Sequence, residues 1–299
     1  MNAAEARERL TAGCWRWLEA NVDQFFVRHD ETGPARAVRL RAFGELLTFL
    51  SGTARLNVRG GAVATVGAAA QAWLPAFDWD SQLIRDPGFV VAVVTVVEFL
   101  EARGADATPF RRLVERALDQ RLVDGLELHP YRRAELDRML ARAGFQRYDA
   151  ASFARHVREA MRLLDKPPPS YTVNDYFALS HLVCYVWDDG RRDARELLGP
   201  DEIAQLRWLV ATFGRIVMID RDLDLAAEFL IGERFMGGFD DAFATAAVGA
   251  AIREQQPDGC IIAPDLGGTR SPFVRRYHST LLWAYASELI RHGAAPLAA

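Results

Sequence analysis

Apolar residues recur at the three- and four-residue spacings of an α-helix along most of the chain, between stops made of glycine, proline or Asp-Gly pairs. The first such run covers residues 3–28 and ends at Gly33 and Pro34, which interrupt a helix readily. In all, the pattern predicts about twelve helices, near residues 3–28, 34–50, 62–73, 88–103, 109–121, 130–143, 150–165, 172–187, 201–214, 221–234, 239–254 and 276–291. We therefore expect an all-α fold.

One segment favours a strand locally. Residues 89–94 are rich in β-branched side chains, which are typical of strands. The apolar run continues as far as Leu100, however, and that is too long for a typical strand. We predict a buried helix here, and an irregular segment before it, from Trp73 to Pro87.

Three consecutive prolines lie within residues 166–170 and predict an extended linker, because proline cannot continue a helix. We interpret residues 1–299 as a single all-helical domain that the linker subdivides into an N-terminal part, 1–165, and a C-terminal part, 171–299. The sequence leaves open whether these parts are two domains or two layers of one.

The net charge of −4 comes without a basic stripe, so a nucleic-acid partner is not expected. Three widely spaced cysteines, Cys14, Cys184 and Cys260, argue for a reducing compartment rather than a disulfide framework. The longest mainly apolar run, residues 89–97, is too short to span a bilayer, and the first ten residues lack an apolar signal core. We expect a cytoplasmic protein.

Two C-terminal motifs carry a family resemblance. The run from Gln255 to Ile261 contains Asp258 and Gly259 in a pattern that resembles the Q-x-x-D-G-x-W repeat of α/α-toroid proteins, with Ile261 in the place of tryptophan. Residues 277–279, Tyr-His-Ser, resemble the Y-H-T step that opens an inner helix in the β-subunits of protein prenyltransferases. The chain is thus similar to the superfamily of terpenoid cyclases and prenyltransferase β-subunits.

The resemblance implies a toroid of helical hairpins, incomplete or divergent, with extra N-terminal helices. In the prenyltransferase subunits the matching histidine, here His278, is a zinc ligand. The aspartate and cysteine ligands of that family have no clearly matched positions, so zinc and prenyl transfer do not carry over. The whole chain also resembles actinobacterial proteins associated with natural-product pathways.

A metal site is one hypothesis for the polar residues. His181 and Cys184 are three residues apart and share one face of a helix, and with His278 and a carboxylate they would suit zinc or iron. The alternative is a cysteine packed as a small apolar residue and a histidine that bonds locally. No cofactor is certain, and the divalent metal remains a hypothesis.

Two acidic clusters have similar alternatives. Asp188 and Asp189 resemble the magnesium-binding motif of class I terpene synthases, but Gly190 breaks the helix there, and we favour a solvated helix end. The run from Asp220 to Asp224 offers a general acid of the kind that class II cyclases use. For this run we favour capping, with Asp220 as the N-cap of the next helix.

His278 follows the glycine-rich segment 265–270 and two arginines, Arg275 and Arg276, which together would suit an anion or a carrier-bound substrate. A structural histidine with solvent-facing arginines is the equal alternative. We expect the substrate-binding residues to be Tyr185, Tyr277, Arg275, Arg276 and Trp283.

Our leading hypothesis is an enzyme of specialised metabolism that acts on an apolar or carrier-bound small molecule, by cyclisation or another acid-catalysed rearrangement. The predicted catalytic residues are His278, His181, Asp189 and Asp258. The alternative is a non-catalytic helical scaffold that binds a partner protein or a hydrophobic product. A homodimer is compatible with either hypothesis.

Overall fold

A computed structural model describes residues 3–28, 30–58, 60–145, 150–264 and 271–292. These residues contain no strand, and the predicted all-α fold is confirmed. They form thirteen α-helices: α1 (Ala3–Ala20), α2 (Gly33–Arg55), α3 (Gly61–Trp73), α4 (Trp79–Arg85), α5 (Val90–Ala102), α6 (Thr108–Asp119), α7 (Pro130–Arg142), α8 (Ala150–Leu163), α9 (Val173–Val186), α10 (Pro200–Ile219), α11 (Leu223–Phe235), α12 (Asp241–Glu254) and α13 (Val274–His292). None of the described helices combines the length and the apolarity that crossing a membrane requires.

The valine-rich segment is helix α5, as predicted, and most of its side chains are buried. The segment from Trp73 to Pro87 is more regular than predicted, because it contains α4. Asp78 caps this short helix by accepting a hydrogen bond from the backbone N–H of Ser81 at 3.1 Å, and Trp79 is buried at its start.

Six helices contact one another in a closed order. Along the chain, α2 contacts α5, α5 contacts α7, α7 contacts α9, α9 contacts α11 and α11 contacts α13, which returns to α2. We call these six helices the ring. Each of α1, α3, α6, α8, α10 and α12 contacts at least one ring helix, and α1 packs on α13. An α/α toroid requires this order of contacts, and the toroid arrangement stays a prediction that the contacts support.

Charged residues from the C-terminal ends of ring helices meet one another. Arg55 ends α2, Arg142 ends α7, and Asp189 follows α9; the Asp189 carboxylate lies 3.5 Å from Arg55 and 2.6 Å from Arg142. Glu98, near the end of α5, pairs with the same Arg142. Four ring helices therefore run in the same direction, and the ring has an N-terminal end and a C-terminal end.

The motif from Gln255 to Gly259 fixes the connection after α12 against α1. The Gln255 side-chain amide donates to the carbonyls of Leu10, at 2.9 Å, and of Gly259, at 3.0 Å. Gly259 has φ +99°, and a Cβ there would lie 2.1 Å from the carbonyl oxygen of Gly13. Only glycine fits this approach, so the motif acts as a packing device.

Asp258, a predicted catalytic residue, belongs to this turn. Its carboxylate accepts from the backbone N–H of Cys260 at 3.1 Å and lies 3.6 Å from Arg276. The side chain is half exposed. Local turn geometry accounts for this aspartate, which is the usual use of an Asp-Gly pair.

The proline-rich linker contains a short 3₁₀ turn, Pro168–Ser170, and Lys166 at its start lies 2.7 Å from Asp175 of α9. The ring contains three helices that precede the linker, α2, α5 and α7, and three that follow it, α9, α11 and α13. Helices from the two parts of the chain thus pack against each other.

Candidate active site in the central cavity

A cavity of about 620 Å³ lies inside the ring and is lined by side chains from all six ring helices. Its wall combines apolar groups with ionisable ones. The apolar members include Leu40, Phe49, Phe89, Ile231 and Leu282, and the ionisable members include Glu45, Arg132, Glu135, His181, Glu228 and His278. A small molecule that entered this cavity would meet both kinds of group.

The most tightly connected polar group joins α11 to α13. Both oxygens of Asp224 lie 2.9 Å from Nδ1 of His278, and the hydroxyl of Ser279 donates to the same carboxylate. The Trp283 indole N–H donates to the carbonyl of Leu223 at 2.8 Å and ties the start of α11 to the middle of α13. His278 is therefore held by a carboxylate whose own position is fixed.

Asp222 is the N-cap of α11, since its carboxylate accepts from the backbone N–H groups of Asp224 and Leu225 at 3.1 Å. The assignment of Asp220 as the N-cap was wrong. Asp220 is the C-cap of α10, and two residues separate it from the first turn of α11. The cap leaves Asp224 free to face His278.

Glu228 lies one helical turn after Asp224 and is 6% exposed. One carboxylate oxygen accepts a hydrogen bond from the Ser180 hydroxyl of α9, and the other lies 3.8 Å from Nε2 of His278. The His278 ring thus has a carboxylate near each of its nitrogens. We call Asp224, Glu228 and His278 the α11–α13 cluster.

Burial alone would lower the pKa of His278, but Asp224, Glu45 and Glu228 outweigh it and raise this pKa to about 10. Burial raises the pKa of Glu228 to about 7, helped by Asp224 and opposed by His278. The pKa of Asp224 is lowered despite burial, because His278 and Ser279 stabilise the carboxylate. At neutral pH the His278 imidazole is charged, and the pKa of Glu228 is close to the pH.

A second polar group, on α7 and α9, lines the same cavity. Arg132 pairs with Glu135 at 2.8 Å, and the ring of His181 stacks between Tyr131 and Tyr185, each with its centroid 6.1 Å away. Burial and the positive charge of Arg132 lower the pKa of His181 to about 4. Nδ1 of His181 meets no hydrogen-bond partner among the residues that the structure describes. We call these residues the α7–α9 group.

Among the described residues, Asp224, Glu228 and His278 form a group whose possible metal-ligand atoms lie within 4.8 Å of one another. This set shares His278 with the predicted metal site but contains neither His181 nor Cys184. Two carboxylates and one imidazole suit a divalent cation. Cys184 lines the cavity, and burial raises its pKa well above the ordinary value, so its thiol stays protonated.

Asp189 is 8% exposed and engaged by three arginines, Arg55, Arg138 and Arg142. The interpretation of Asp188 and Asp189 as a solvated helix end was therefore wrong for Asp189. Burial would raise the pKa of Asp189, but the three guanidinium groups hold it well below its usual range. Asp189, which we predicted to be an orienting carboxylate of the catalytic site, therefore forms ion pairs at the C-terminal end of the ring.

Of the five predicted substrate-binding residues, Tyr185 lines the cavity. The wall, as far as the described residues define it, does not include the other four. Tyr277 packs against Phe25 with a centroid distance of 5.8 Å, and Trp283 is completely buried. Arg275 and Arg276 open α13 beside the turn of Asp258. The glycine-rich segment 265–270 lies outside the described residues.

Sequence reasoning missed Glu228, and it singled out Asp224 only as part of an acidic run. A usable signal existed. Glu228 interrupts the apolar run from Leu225 to Ile231, and a lone carboxylate on the buried face of a helix needs a partner. Its spacing of four from Asp224 places both carboxylates on one face.

No curated protein matches the chain. A family model described as a domain of unknown function, DUF6895, matches residues 11–287, which include both polar groups of the cavity and all of the ring except the last residues of α13. The chain therefore belongs to the DUF6895 family.

Proposed function

We propose that the protein is a cytoplasmic enzyme of specialised metabolism that transfers protons to and from a small molecule in the central cavity, with Glu228 as the acid/base group. The observation that carries this proposal is the position of Glu228. Its side chain lies in the cavity wall, where one oxygen accepts a hydrogen bond from Ser180 and the other lies 3.8 Å from Nε2 of His278. Cyclisation or another acid-catalysed rearrangement is the reaction class that this group best suits.

The other members of the cluster have distinct roles in this proposal. His278 keeps its proton at neutral pH, because its pKa is raised to about 10, and so it provides a fixed positive charge beside the reacting groups. Asp224 and Ser279 position His278. Glu228, whose pKa is raised to about 7, is matched to proton transfer near neutral pH.

The cavity wall supports a substrate with an apolar body. Its apolar members come from α2, α5, α7, α11 and α13 and from Phe89 just before α5. Such a wall excludes water from a reactive intermediate. A carrier-bound substrate would fit the same chemistry if only its acyl part entered the cavity.

The proposed proton transfer has a direct isotopic test. The protein is incubated in D₂O with a library of apolar natural-product precursors, and products are examined by mass spectrometry for deuterium bound to carbon. Acid-catalysed rearrangement places a solvent proton on a substrate carbon, so deuterium should appear in the product. We expect Glu228→Gln to lower the rate by roughly 10²- to 10⁴-fold. The matched control is Glu254→Gln, an exposed residue on α12.

Two outcomes would overturn the proposal. If Glu228→Gln retains the wild-type rate, Glu228 is not the acid/base group. If library members bind saturably in the cavity but none is converted, the protein is a binding scaffold rather than an enzyme.

The same three residues also favour a metal-dependent form of this enzyme. A divalent cation at Asp224, Glu228 and His278 would require the His278 proton to leave. Metal analysis of untagged protein separates the two forms. One equivalent of metal that is lost in Asp224→Asn supports the metal form, and metal-free protein with isotopic turnover supports the proton-transfer form.

A further inference from the structure

A second pocket, of about 680 Å³, lies at the C-terminal end of the ring. It is formed by residues that follow α9, by the first turns of α10 and by the end of α11. On α11 it is lined by residues 234 and 235, whereas the α11–α13 cluster uses residues 224 and 228. Phe235 and Asp189 line both pockets, but the α11–α13 cluster lies towards the other end of this helix.

The charge of this pocket is strongly positive. Five arginines line it, Arg191, Arg192, Arg195, Arg207 and Arg234. Its two carboxylates are already engaged: Asp189 pairs with arginines on the cavity side, and Asp193 pairs with Arg195 at 2.5 Å. The lining therefore has an excess of cations that the surrounding protein does not neutralise.

Structural roles account for three of the five arginines. Arg195 pairs with Asp193, Arg207 donates to the Met236 carbonyl at 3.1 Å, and Arg234 lies 3.3 Å from Glu233 in the last turn of α11. Arginine is favourable at the end of a helix, where backbone carbonyls carry partial negative charge. These three residues by themselves would not indicate a ligand.

Arg191 and Arg192 have no comparable explanation. They lie on the loop after α9, and neither pairs with a carboxylate among the residues that the structure describes. The Arg192 guanidinium lies over the Phe153 ring, 5.4 Å from its centroid. Burial, with Arg55 and Arg142 nearby, lowers the pKa of Arg191 to about 10, and Asp188 and Asp189 offset only part of this effect. Burying an arginine cation near other cations destabilises the folded protein, and a bound anion would offset this destabilisation.

We propose that this pocket binds a small molecule that carries a phosphate group, with Arg191 and Arg192 as the residues that hold the phosphate. Guanidinium groups bind phosphate oxygens through paired, charge-assisted hydrogen bonds. The apolar part of the lining, which includes Trp187, Ile203 and Met236, provides contacts for the rest of the molecule. The volume of about 680 Å³ and the net charge of −4 favour a small ligand over a nucleic acid.

Binding is tested by calorimetry and thermal unfolding with three probes at constant ionic strength: phenyl phosphate, inorganic phosphate and benzoate. Phenyl phosphate should bind saturably and more tightly than inorganic phosphate, because it also contacts the apolar lining. Benzoate should bind most weakly. In Arg191→Gln and Arg192→Gln we expect the Kd for phenyl phosphate to rise about tenfold or more, the usual effect of losing a charge-assisted hydrogen bond.

The control is Arg253→Gln, which removes one positive charge from an exposed position on α12. Arg191→Gln should unfold at a higher temperature than wild type without ligand, since it removes a destabilised cation, and should gain no stability from phenyl phosphate. Equal phenyl phosphate binding by Arg191→Gln and Arg253→Gln would overturn the proposal. So would benzoate binding as tight as that of phenyl phosphate, or wild-type protein that shows no saturable binding.

Discussion

Two histidines line the same cavity, and at neutral pH one is positively charged while the other is neutral. His278, in the α11–α13 cluster, has its pKa raised to about 10, whereas His181, in the α7–α9 group, has its pKa lowered to about 4. Both are removed from bulk water, and burial lowers the pKa of each. Their neighbours therefore decide the difference.

His278 lies among carboxylates that lack an equal number of cations, namely Asp224, Glu228 and Glu45. His181 lies beside Arg132 and Glu135, which pair with each other and largely cancel. The comparison shows that the net charge of the neighbouring side chains sets the pKa of a buried histidine more strongly than its degree of burial does. It also assigns different tasks, because a fixed cation suits the α11–α13 cluster, and a neutral stacked ring suits the α7–α9 group.

The largest expected effect comes from removing the carboxylate that holds His278. Asp224→Asn leaves a histidine cation without its close partner in a nearly buried site. Breaking such a pair costs several kcal/mol, and we expect a loss of about 3 kcal/mol in the free energy of unfolding. Urea unfolding at pH 7 measures this loss. The matched control is Asp220→Asn, which changes an exposed residue at the end of α10.

The pH dependence of the same variant checks the cause. The folded-state pKa of His278 is raised above the unfolded value of 6.5, so its stabilisation is present below pH 6.5 and is lost as pH rises towards 10. Asp224→Asn should reduce this alkaline loss, since the pKa of His278 falls towards its ordinary value. A wild-type alkaline slope in the variant would show that Asp224 does not hold the proton.

Local patterns in the sequence were enough to predict where most of the helices lie. Twelve of the thirteen described helices match predicted segments, because a buried stripe on each helix imposes the 3.6-residue period. Helix α4 was missed. It has seven residues, too few for a periodic pattern, and it depends on the Asp78 cap and on the packing of Trp79 against Phe77 and Phe89.

The candidate site was harder to predict, because it is assembled from distant parts of the chain. His278 was identified from its motif, but its partner Asp224 lies 54 residues earlier, and Ser180 comes from a third helix. The Asp-Gly motif was interpreted as functional at Asp258, whereas the structure shows a turn at Asp258 and close packing of Gly259 against α1. Spacing along a helix predicts neighbours on one face, and it cannot predict which helices will face each other.

The next largest expected effect concerns the loss of folding stability at acidic pH, and it comes from replacing His181. Its folded-state pKa is lowered from 6.5 to about 4, so the folded protein does not take up the proton that the unfolded chain binds below pH 6.5. Stability is therefore lost as pH falls from 6.5 towards 4. His181→Phe keeps a stacked ring without a titrating group, and we expect it to remove on the order of 2 kcal/mol of this acid loss.

Stability is measured by urea unfolding at pH 4.5 and pH 7 for wild type, His181→Phe and the control His292→Phe, at the end of α13. Carboxylates remote from the substituted histidines contribute equally to all three proteins, so the difference between wild type and His181→Phe reports His181 together with its coupling to Glu135. The control reports the loss of a histidine that lies 3.6 Å from Glu288. An identical acid loss in wild type and His181→Phe would mean that His181 is charged in the folded state, and the contrast with His278 would fail.

The smallest expected effect concerns the hydroxyl of Tyr185. Burial and the nearby Glu135 carboxylate raise the pKa of Tyr185 well above its ordinary value. Glu135 is close enough to act on this pKa as a hydrogen-bond acceptor, but among the described residues the hydroxyl meets no partner in good hydrogen-bond geometry. Removing a buried hydroxyl whose hydrogen bond is at best poorly aligned costs little and relieves its desolvation. We therefore expect Tyr185→Phe to change the free energy of unfolding by less than about 1 kcal/mol, in the stabilising direction.

Tyr171→Phe is the matched control, because the Tyr171 hydroxyl is also buried but donates to the carbonyl of Leu164. Losing that bond should cost about 1 kcal/mol, measured by the same urea unfolding at pH 7. If Tyr185→Phe costs as much as Tyr171→Phe, the Tyr185 hydroxyl has a bonding partner, and Glu135 is the nearest candidate. The α7–α9 group would then be a connected network like the α11–α13 cluster, and the distinction between a fixed cation and a passive stacked ring would rest on His181 alone.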